Sequence, residues 1–437
     1  MPERHVVVVG GGFAGVGCVK RLARDDDTRV TLIDRHNYHQ FQPLLYQVAT
    51  SQLASSDIAF SLRKLFRDSE HVDVKLGEVV ELDPGAHTVT LEGGQRYSGD
   101  ALIVAAGSRP NFFRTPGAEE HALPLYSLDN AKLLRSRILE VFEAADRDPS
   151  LIDKGALTFV VVGGGPTGVE LAGALADLIA QTMTTEYHHL AVSAAQIHLV
   201  DLGQTLLGPF SDSAHEYAAK ILGRKGVRLH LGVAVTEVGP AHVTLADGTT
   251  IRTHCVVWGG GIQAPAVAVH GDLPRGRGGR IDVQPDLTVA GLEGVYAVGD
   301  VANIPGPDGE PYPQLGSVAL QSGVWAAENV LADAAGKSRK PFHYRDKGIM
   351  AMIGRGAAIA EVGPHRHELH GAIAFSAWLG VHAALMTGVR NRIDAFIEWG
   401  WDYFGTARGP QVLDRSDASR IDWDDADVPE PASADAT

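Results

Sequence analysis

His5-Val-Val-Val-Val-Gly10-Gly-Gly12-Phe13-Ala14-Gly15 is the stretch on which the reading of this chain turns. An unbroken run of valines, with no polar alternation, reads as a parallel strand buried on both faces. A helical run to about Arg24 follows, and then a second strand, Arg29-Val-Thr-Leu-Ile-Asp34. Gly10 permits the sharp turn out of the first strand. Gly12, lacking a side chain, lets a pyrophosphate approach the backbone, and Gly15 lets the helix pack close on the strand. The unpaired N–H groups and positive dipole at the helix start suit a phosphate. A carboxylate at Asp34 can accept hydrogen bonds from a ribose 2′-OH.

The pattern recurs 153 residues later (163 minus 10). Leu157-Thr-Phe-Val-Val-Val162 leads into Gly163-Gly-Gly165-Pro166-Thr-Gly168-Val169-Glu170, and Gln196-Ile-His-Leu-Val-Asp201 supplies the second acid-ended strand. The acid follows the third glycine by 33 positions here (201 minus 168), against 19 in the first copy (34 minus 15). A helix running through Thr182 to about His188 would absorb the difference. One glycine motif is weak evidence, but two, each with strand before, helix after and acid beyond, predict two dinucleotide sites.

Two such sites suggest a bound flavin facing a diffusing nicotinamide. Tyr97-Ser-Gly-Asp-Ala-Leu-Ile-Val-Ala-Ala106-Gly107 reads as a strand ending in small residues, where the chain leaves the first domain. Cys255-Val-Val-Trp-Gly259-Gly260-Gly261 is its counterpart, with small residues against which a nicotinamide can lie. Gly294-Val-Tyr-Ala-Val-Gly299-Asp300 resembles the flavin ribityl and phosphate motif of two-dinucleotide flavoproteins. It returns the chain to the first domain, so the first copy is assigned FAD, with Phe13, Ala14, Arg35 and Val79 added to its expected contacts. The second copy receives the nicotinamide. Asp201 precedes Leu202 and Gly203 with no adjacent Arg or Lys, which favours NADH over NADPH, whose 2′-phosphate would meet an uncompensated carboxylate.

Composition bounds the remaining choices. At 437 residues, more than one domain is expected. A net charge of −15 argues against nucleic acid as a partner. Cys18 and Cys255 are the only cysteines and sit in apolar surroundings, which reads as two buried thiols in a reducing compartment. No Cys-x-x-Cys and no Cys/His cluster occurs, so neither a redox disulfide nor a metal site is expected. The first residues read straight into a strand, with no charged-then-apolar signal segment before it. The fold expected is α/β: two Rossmann-like dinucleotide-binding domains, the second inserted in the first, followed by a C-terminal amphipathic helical, membrane-associating region. The expected bounds are 1–115 and 286–363 for the FAD-binding domain, 116–285 for the NADH-binding domain, 364–412 for the helices and 413–437 for a disordered acidic tail.

The chain also resembles the type II NADH dehydrogenases, over about residues 4–412. Beyond the glycine motifs, the likeness is carried by Asn37-Tyr-His-Gln-Phe-Gln-Pro-Leu-Leu-Tyr-Gln47-Val-Ala, Asp346-Lys347-Gly-Ile-Met-Ala-Met-Ile-Gly354-Arg355 and Trp378-Leu-Gly-Val-His382. Gly388-Val-Arg-Asn-Arg392 and Trp399-Gly-Trp401 continue it. The resemblance implies hydride transfer from NADH to FAD, then two electrons to a membrane quinone without proton pumping. It places Glu170 near the nicotinamide–flavin contact and Lys347 near the flavin, although an acid in a first helical turn and a solvated loop charge are ordinary alternatives. The quinone side is expected at Gln47, Gly316, Ser317 and Gln321. Here the sequence departs from the family pattern Ala-Gln-x-x-x-Gln, because Ser317 replaces the first glutamine. A shorter Ser317 reaches a quinone carbonyl only through water or a shifted pose.

Residues 371–388 are apolar apart from Ser376, His382 and Thr387, and the stretch to Phe404 mixes Trp399, Trp401 and Tyr403 with Arg390, Arg392, Asp394 and Glu398. This suits a helix pair lying in a membrane interface, giving a peripheral protein on the cytoplasmic face. A helix covering the core, or a homodimer contact, stays open as an alternative. Removal of everything beyond about Gly363 is then expected to leave a soluble protein that keeps FAD. A soluble NADH-dependent reductase of a ferredoxin or a small organic oxidant remains the competing function.

Overall fold

In the computed structural model the valine run is the strand Arg4–Val9, at the centre of a five-stranded parallel sheet. Residues 4–363, 365–404, 411–414 and 421–423 are described. Across the sheet the order is Val295–Ala297, Ala101–Val104, Arg4–Val9, Thr28–Asp34 and Val72–Leu76, every neighbour parallel. Val6, Val7 and Val8 are wholly buried, as a strand covered on both faces requires. The helix Phe13–Leu22 packs on the helix Gly316–Ala334 at very short range. A Cβ at Gly323 would lie 1.9 Å from the Ala14 carbonyl oxygen, so only glycine allows this approach.

The second sheet repeats the first. Its order is Leu123–Pro124, Cys255–Trp258, Thr158–Val162, Gln196–Asp201 and Val227–Leu231, again all parallel. The helix Pro166–Asp177 continues through a wider π turn, Leu178–Met183, into Thr184–Glu186, close to the end that the longer spacing to Asp201 requires.

One strand is shorter than its sequence suggests. The run from Tyr97 to Gly107 breaks into Arg96–Ser98, part of an antiparallel ribbon, and Ala101–Val104 in the parallel sheet. The cause is Asp100, whose carboxylate accepts the His5 N–H at 2.8 Å while its own N–H reaches His5 O at 2.7 Å.

Two compact units result. The chain up to Gln40, Ala59–Arg109 and Ile262–Arg345 form one; Phe41–Ile58, Pro110–Gly261 and the chain from Asp346 form the other. The second unit therefore differs from the 116–285 insertion read from the motifs, since 262–285 fall in the first unit. It takes in 41–58, the antiparallel strands Gly348–Gly354, Ala357–Val362 and His367–His370, and the helices Gly371–Leu385 and Val389–Phe404.

These two helices have two faces. Trp378, His382 and Trp399 are buried, whereas Ile373, Leu385, Ile393, Phe396, Ile397 and Trp401 are more than half exposed. The helix Gly371–Leu385 is apolar on both sides rather than amphipathic. Its inner face belongs to the core of the second unit, so truncation near Gly363 would remove core walls of that unit along with the exposed face. Among the described residues no helix is long and apolar enough to cross a membrane. Part of the expected acidic tail is anchored. The Asp414 N–H reaches Ser136 Oγ at 3.3 Å, and the Trp423 ring lies 4.5 Å from that of His254. The other tail residues, 415–420 and 424–437, lie outside the described set.

Asp177 fixes the end of the strand Gly348–Gly354. Its buried carboxylate accepts the Arg355 N–H at 2.6 Å and pairs with Lys225, and a Cβ at Gly354 (φ +121°) would strike both side chains. Asp177→Ala leaves these donors without a partner and should lower stability by about 3 kcal/mol. A chemical denaturation midpoint equal to that of the parent would refute this.

Candidate functional site

In the first unit, Gly10 (φ +106°) turns the chain where a Cβ would sit 2.2 Å from Ala105 O. A Cβ at Gly15 would overlap Gly10 O at 1.7 Å, which is why helix and strand can pack so closely. At Gly12 an added Cβ would touch nothing. The loop is open there, and no side chain caps the first turn of the helix Phe13–Leu22. An open, uncapped helix start with a side-chain-free approach fits a pyrophosphate.

Asp34 has a structural task in addition to the expected one. Its two oxygens accept the Gly11 and His36 N–H groups, each at 2.6 Å, pinning the middle glycine of the turn. His39, which the motif reading did not single out, lies with Nδ1 3.0 Å from Gly11 O, and its ring meets that of Phe13 at right angles. Burial lowers its pKa, so the ring is a neutral donor. Its only sequence signal is its place in the Asn37–Gln47 block.

Other first-unit residues converge on this turn. Gly299 (φ +70°) faces Ala14, and its N–H reaches Ser322 Oγ at 3.1 Å. Asp300 is bonded by Ser108 Oγ at 3.1 Å, and burial raises its pKa. Ala106 and Gly107 (φ +68°) lead directly into Ser108, and Gly316 packs on the Phe13 ring. Arg35 is exposed beyond Asp34, and Val79 is half-buried at the start of the strand Val79–Asp83.

The second turn reproduces the first. A Cβ at Gly163 (φ +112°) would lie 2.6 Å from Gly259 O, one at Gly168 would overlap Gly163 O at 1.8 Å, and Gly165 is open. Pro166 begins the helix and Val169 is buried in it. Asp201 accepts the Gly164 N–H, and the Gly203 N–H at 2.5 Å. Gly260 and Gly261 follow the strand Cys255–Trp258, and the Trp258 indole N–H is tied to Asn111 O at 2.8 Å.

Glu170 lies in the same helix, wrapped by the rest of its unit. Burial pushes its carboxyl up to about 8, while the Met352 N–H, 3.2 Å away, and the Trp378 indole N–H act in the opposite sense without overcoming it. A side chain that reads as a first-turn acid is thus held neutral in the core at physiological pH.

The residues expected on the quinone side are distributed over both units. Gly316 and Ser317 are exposed at the start of their helix, and Ser317 Oγ lies 2.8 Å from Tyr344 OH. The Gln321 side chain forms a pair of hydrogen bonds with the Arg345 backbone, donating to its carbonyl at 3.1 Å and accepting its N–H at 3.0 Å. Gln47 is fully buried in the second unit, accepting from the Trp399 indole at 2.8 Å and donating to Tyr46 OH at 3.1 Å. Lys347 is exposed in the loop before the strand Gly348–Gly354. Cys18 and Cys255 are free, buried thiols that burial pushes up to about 12, far from the reactive thiolate range.

Two repeated sheets, each with an open glycine turn pinned by an acid, define a two-dinucleotide oxidoreductase fold. Residues 4–323 match the pyridine nucleotide-disulphide oxidoreductase family. Two relatives from Mycobacterium tuberculosis, the type II NADH:quinone oxidoreductases Ndh and NdhA, are each 37% identical to this chain over 94% of it, spanning 91% and 89% of their own lengths. The chain therefore belongs to the pyridine nucleotide-disulphide oxidoreductases and, within them, to the type II NADH:quinone oxidoreductases. The solved structure of NDH2 from Plasmodium falciparum in complex with NADH shares the fold, with a TM-score of 0.85 at 18% identity over 94% of this chain and all of that one. The Aquifex aeolicus sulfide:quinone oxidoreductase is more distant, with a TM-score of 0.71 at 20% identity, covering 92% of this chain and 96% of that one.

Glu170 gives a signed pH dependence. Between about pH 4.5 and its folded value near 8, the native state holds a proton that the unfolded chain releases, so stability falls as pH rises through that window. Glu170→Gln should unfold like the parent near pH 4 and be more stable by a few kcal/mol, on the order of 4, at pH 9. Unfolding curves offset equally at both pH values would overturn this.

Proposed function

We propose that this chain transfers hydride from NADH to bound FAD and passes two electrons to a membrane quinone without pumping protons. The observation carrying this reading is the pair of pinned, open glycine turns, one in each unit, in a chain of this family. FAD, when bound, supplies the hydride-accepting and two-electron-donating centre; the protein supplies position, electrostatics and exclusion of water.

Gly10, Gly12 and Gly15 give the FAD pyrophosphate its approach to the backbone, and Asp34 holds that turn and offers remaining lone pairs to ribose. Gly299 and Asp300 lie beside the turn, where the ribityl and phosphate are expected, with Ala106 and Gly107 completing the wall. Gly163, Gly165 and Gly168 do the same for NADH, with Asp201 on its ribose. The neutral Glu170 carboxyl orients nicotinamide as a donor or moves a proton, and Lys347 is assigned to the flavin side. Gly316, Ser317 and Gln321 form the quinone side, where Gln321 holds the Arg345 backbone and Ser317 stands in the position of the family glutamine. Gln47, buried in the second unit, is also assigned to quinone.

Anaerobic NADH should bleach the yellow holoenzyme, and a menaquinone or ubiquinone analogue should restore the colour. NADPH should bleach it far more slowly. Ser317→Gln should alter only the quinone step, leaving the bleaching rate unchanged; identical quinone kinetics in both proteins would remove Ser317 from the site.

The exposed face formed by Ile373, Leu385, Ile393, Phe396, Ile397 and Trp401 is the membrane-docking surface, with the protein peripheral on the cytoplasmic side. Apolar and aromatic side chains beside Arg390 suit an interface of anionic lipid. Ile397→Asp with Trp401→Asp should weaken binding to anionic lipid vesicles at least ~10-fold while preserving NADH bleaching. Unchanged vesicle binding, with a change in oligomeric state instead, would reassign this face to a contact between copies.

A further inference from the structure

The buried residues of the helix Gly371–Leu385 include Ala374, Trp378 and His382, spaced four apart on one face, and Ala383 beside them. Trp378 is wholly buried, yet its indole N–H has no hydrogen bond of good geometry and comes up against Glu170. Its neighbours fix it firmly. The His382 ring stacks on it at 3.9 Å, Tyr46 meets it edge-on at 6.4 Å and Trp399 lies tilted at 6.0 Å. His382 Nδ1 is 2.8 Å from Trp378 O, tying ring and helix together. On the strand Gly348–Gly354, Met352 gives its N–H to Glu170 and receives Tyr46 OH at its sulfur, 3.5 Å away.

We infer that Trp378 is a positioning residue for Glu170: the indole roofs the carboxyl, excludes water from it and leaves it one poorly aligned donor, so seating of this helix sets Glu170's protonation. The inference rests on the reading of Glu170 as the acid of the hydride-transfer site.

The surroundings of the carboxyl support a role for the roof in particular. On Glu170 the acting groups are burial, the Met352 amide and the Trp378 indole, with no charged side chain among the described residues acting on it. His382, the titratable group nearest the roof, is itself held neutral by burial, at about 4. Tyr46 is engaged with Met352 and Gln47. With no ion pair to compensate, water admitted by loss of the indole acts directly on the carboxyl. The two contributions of Trp378 have opposite signs: its bulk raises the pKa by desolvation, and its N–H lowers it slightly.

The test uses the FAD-loaded enzyme and the pH profile of anaerobic flavin reduction by NADH. The parent should show a limb near pH 8 that Glu170→Gln abolishes. Trp378→Phe, which keeps the ring and removes the N–H, should move the limb upward by a few tenths of a unit to about one. Trp378→Ala, which admits water, should move it downward by about one unit or more. Limbs coinciding with the parent in both variants would overturn the inference. Should Trp378→Ala fail to fold, an unmoved limb in Trp378→Phe does so alone. A limb that survives Glu170→Gln would instead count against the catalytic reading of Glu170. In that event the pH window over which Glu170→Gln alters stability, measured with Trp378 and with Phe at that position, still decides whether the indole sets the carboxyl. An identical window would refute it.

Discussion

A carboxylate closing onto the amide of a glycine turn is the constraint from which both halves of this molecule are built. Asp34 takes the N–H of Gly11, and Asp201 takes that of Gly164. Each acid ends the strand beside the one that leads into the turn, so a single hydrogen bond ties two strand ends and a helix start into one rigid corner. Charge-assisted bonds of this kind are short and strong. The remaining amides of the turn, uncapped by any side chain, are left pointing outward. A loop rich in glycine would otherwise be flexible, and this bond turns it into a pre-organised anion cradle.

The second unit adds a buried acid to that frame. Glu170 sits two residues beyond the third glycine of its turn, so it inherits the position of the cradle. Its chemistry, however, is set from elsewhere, by Met352 and by the aromatic inner face of the C-terminal helices. Those helices present apolar residues outward as well. One element therefore carries both the wall of a buried carboxyl and the surface assigned to lipid.

What was legible in the sequence was local. The strands and glycine turns were read correctly because valine runs and side-chain-free positions impose their conformation within a few residues. The break at Gly99 was missed because it depends on Asp100 meeting His5, 95 positions away. The environment of Gln47 was beyond reach for the same reason, since its partner Trp399 lies 352 positions along the chain. Ser317 stood out by a pattern difference, but its partner Tyr344 did not. Glu170 was visible as a residue, while its protonation was not, because burial is a property of packing. Site residues held by short-range geometry were accessible to sequence; those tuned by distant side chains needed the structure.

The interleaving of the units has a consequence for how the chain must be made. The first sheet takes one edge strand from Val295–Ala297, and the second unit's interior includes Trp399. Neither core can close while the carboxyl-terminal third is still inside the ribosome. The valine-rich strands find partners soon after they emerge, but the open edge of Ala101–Val104 waits for Val295–Ala297, 194 positions later (295 minus 101). Chains of such topology fold slowly and expose adhesive surface on the way. Completion of either core is thereby deferred until the carboxyl-terminal third has been synthesised.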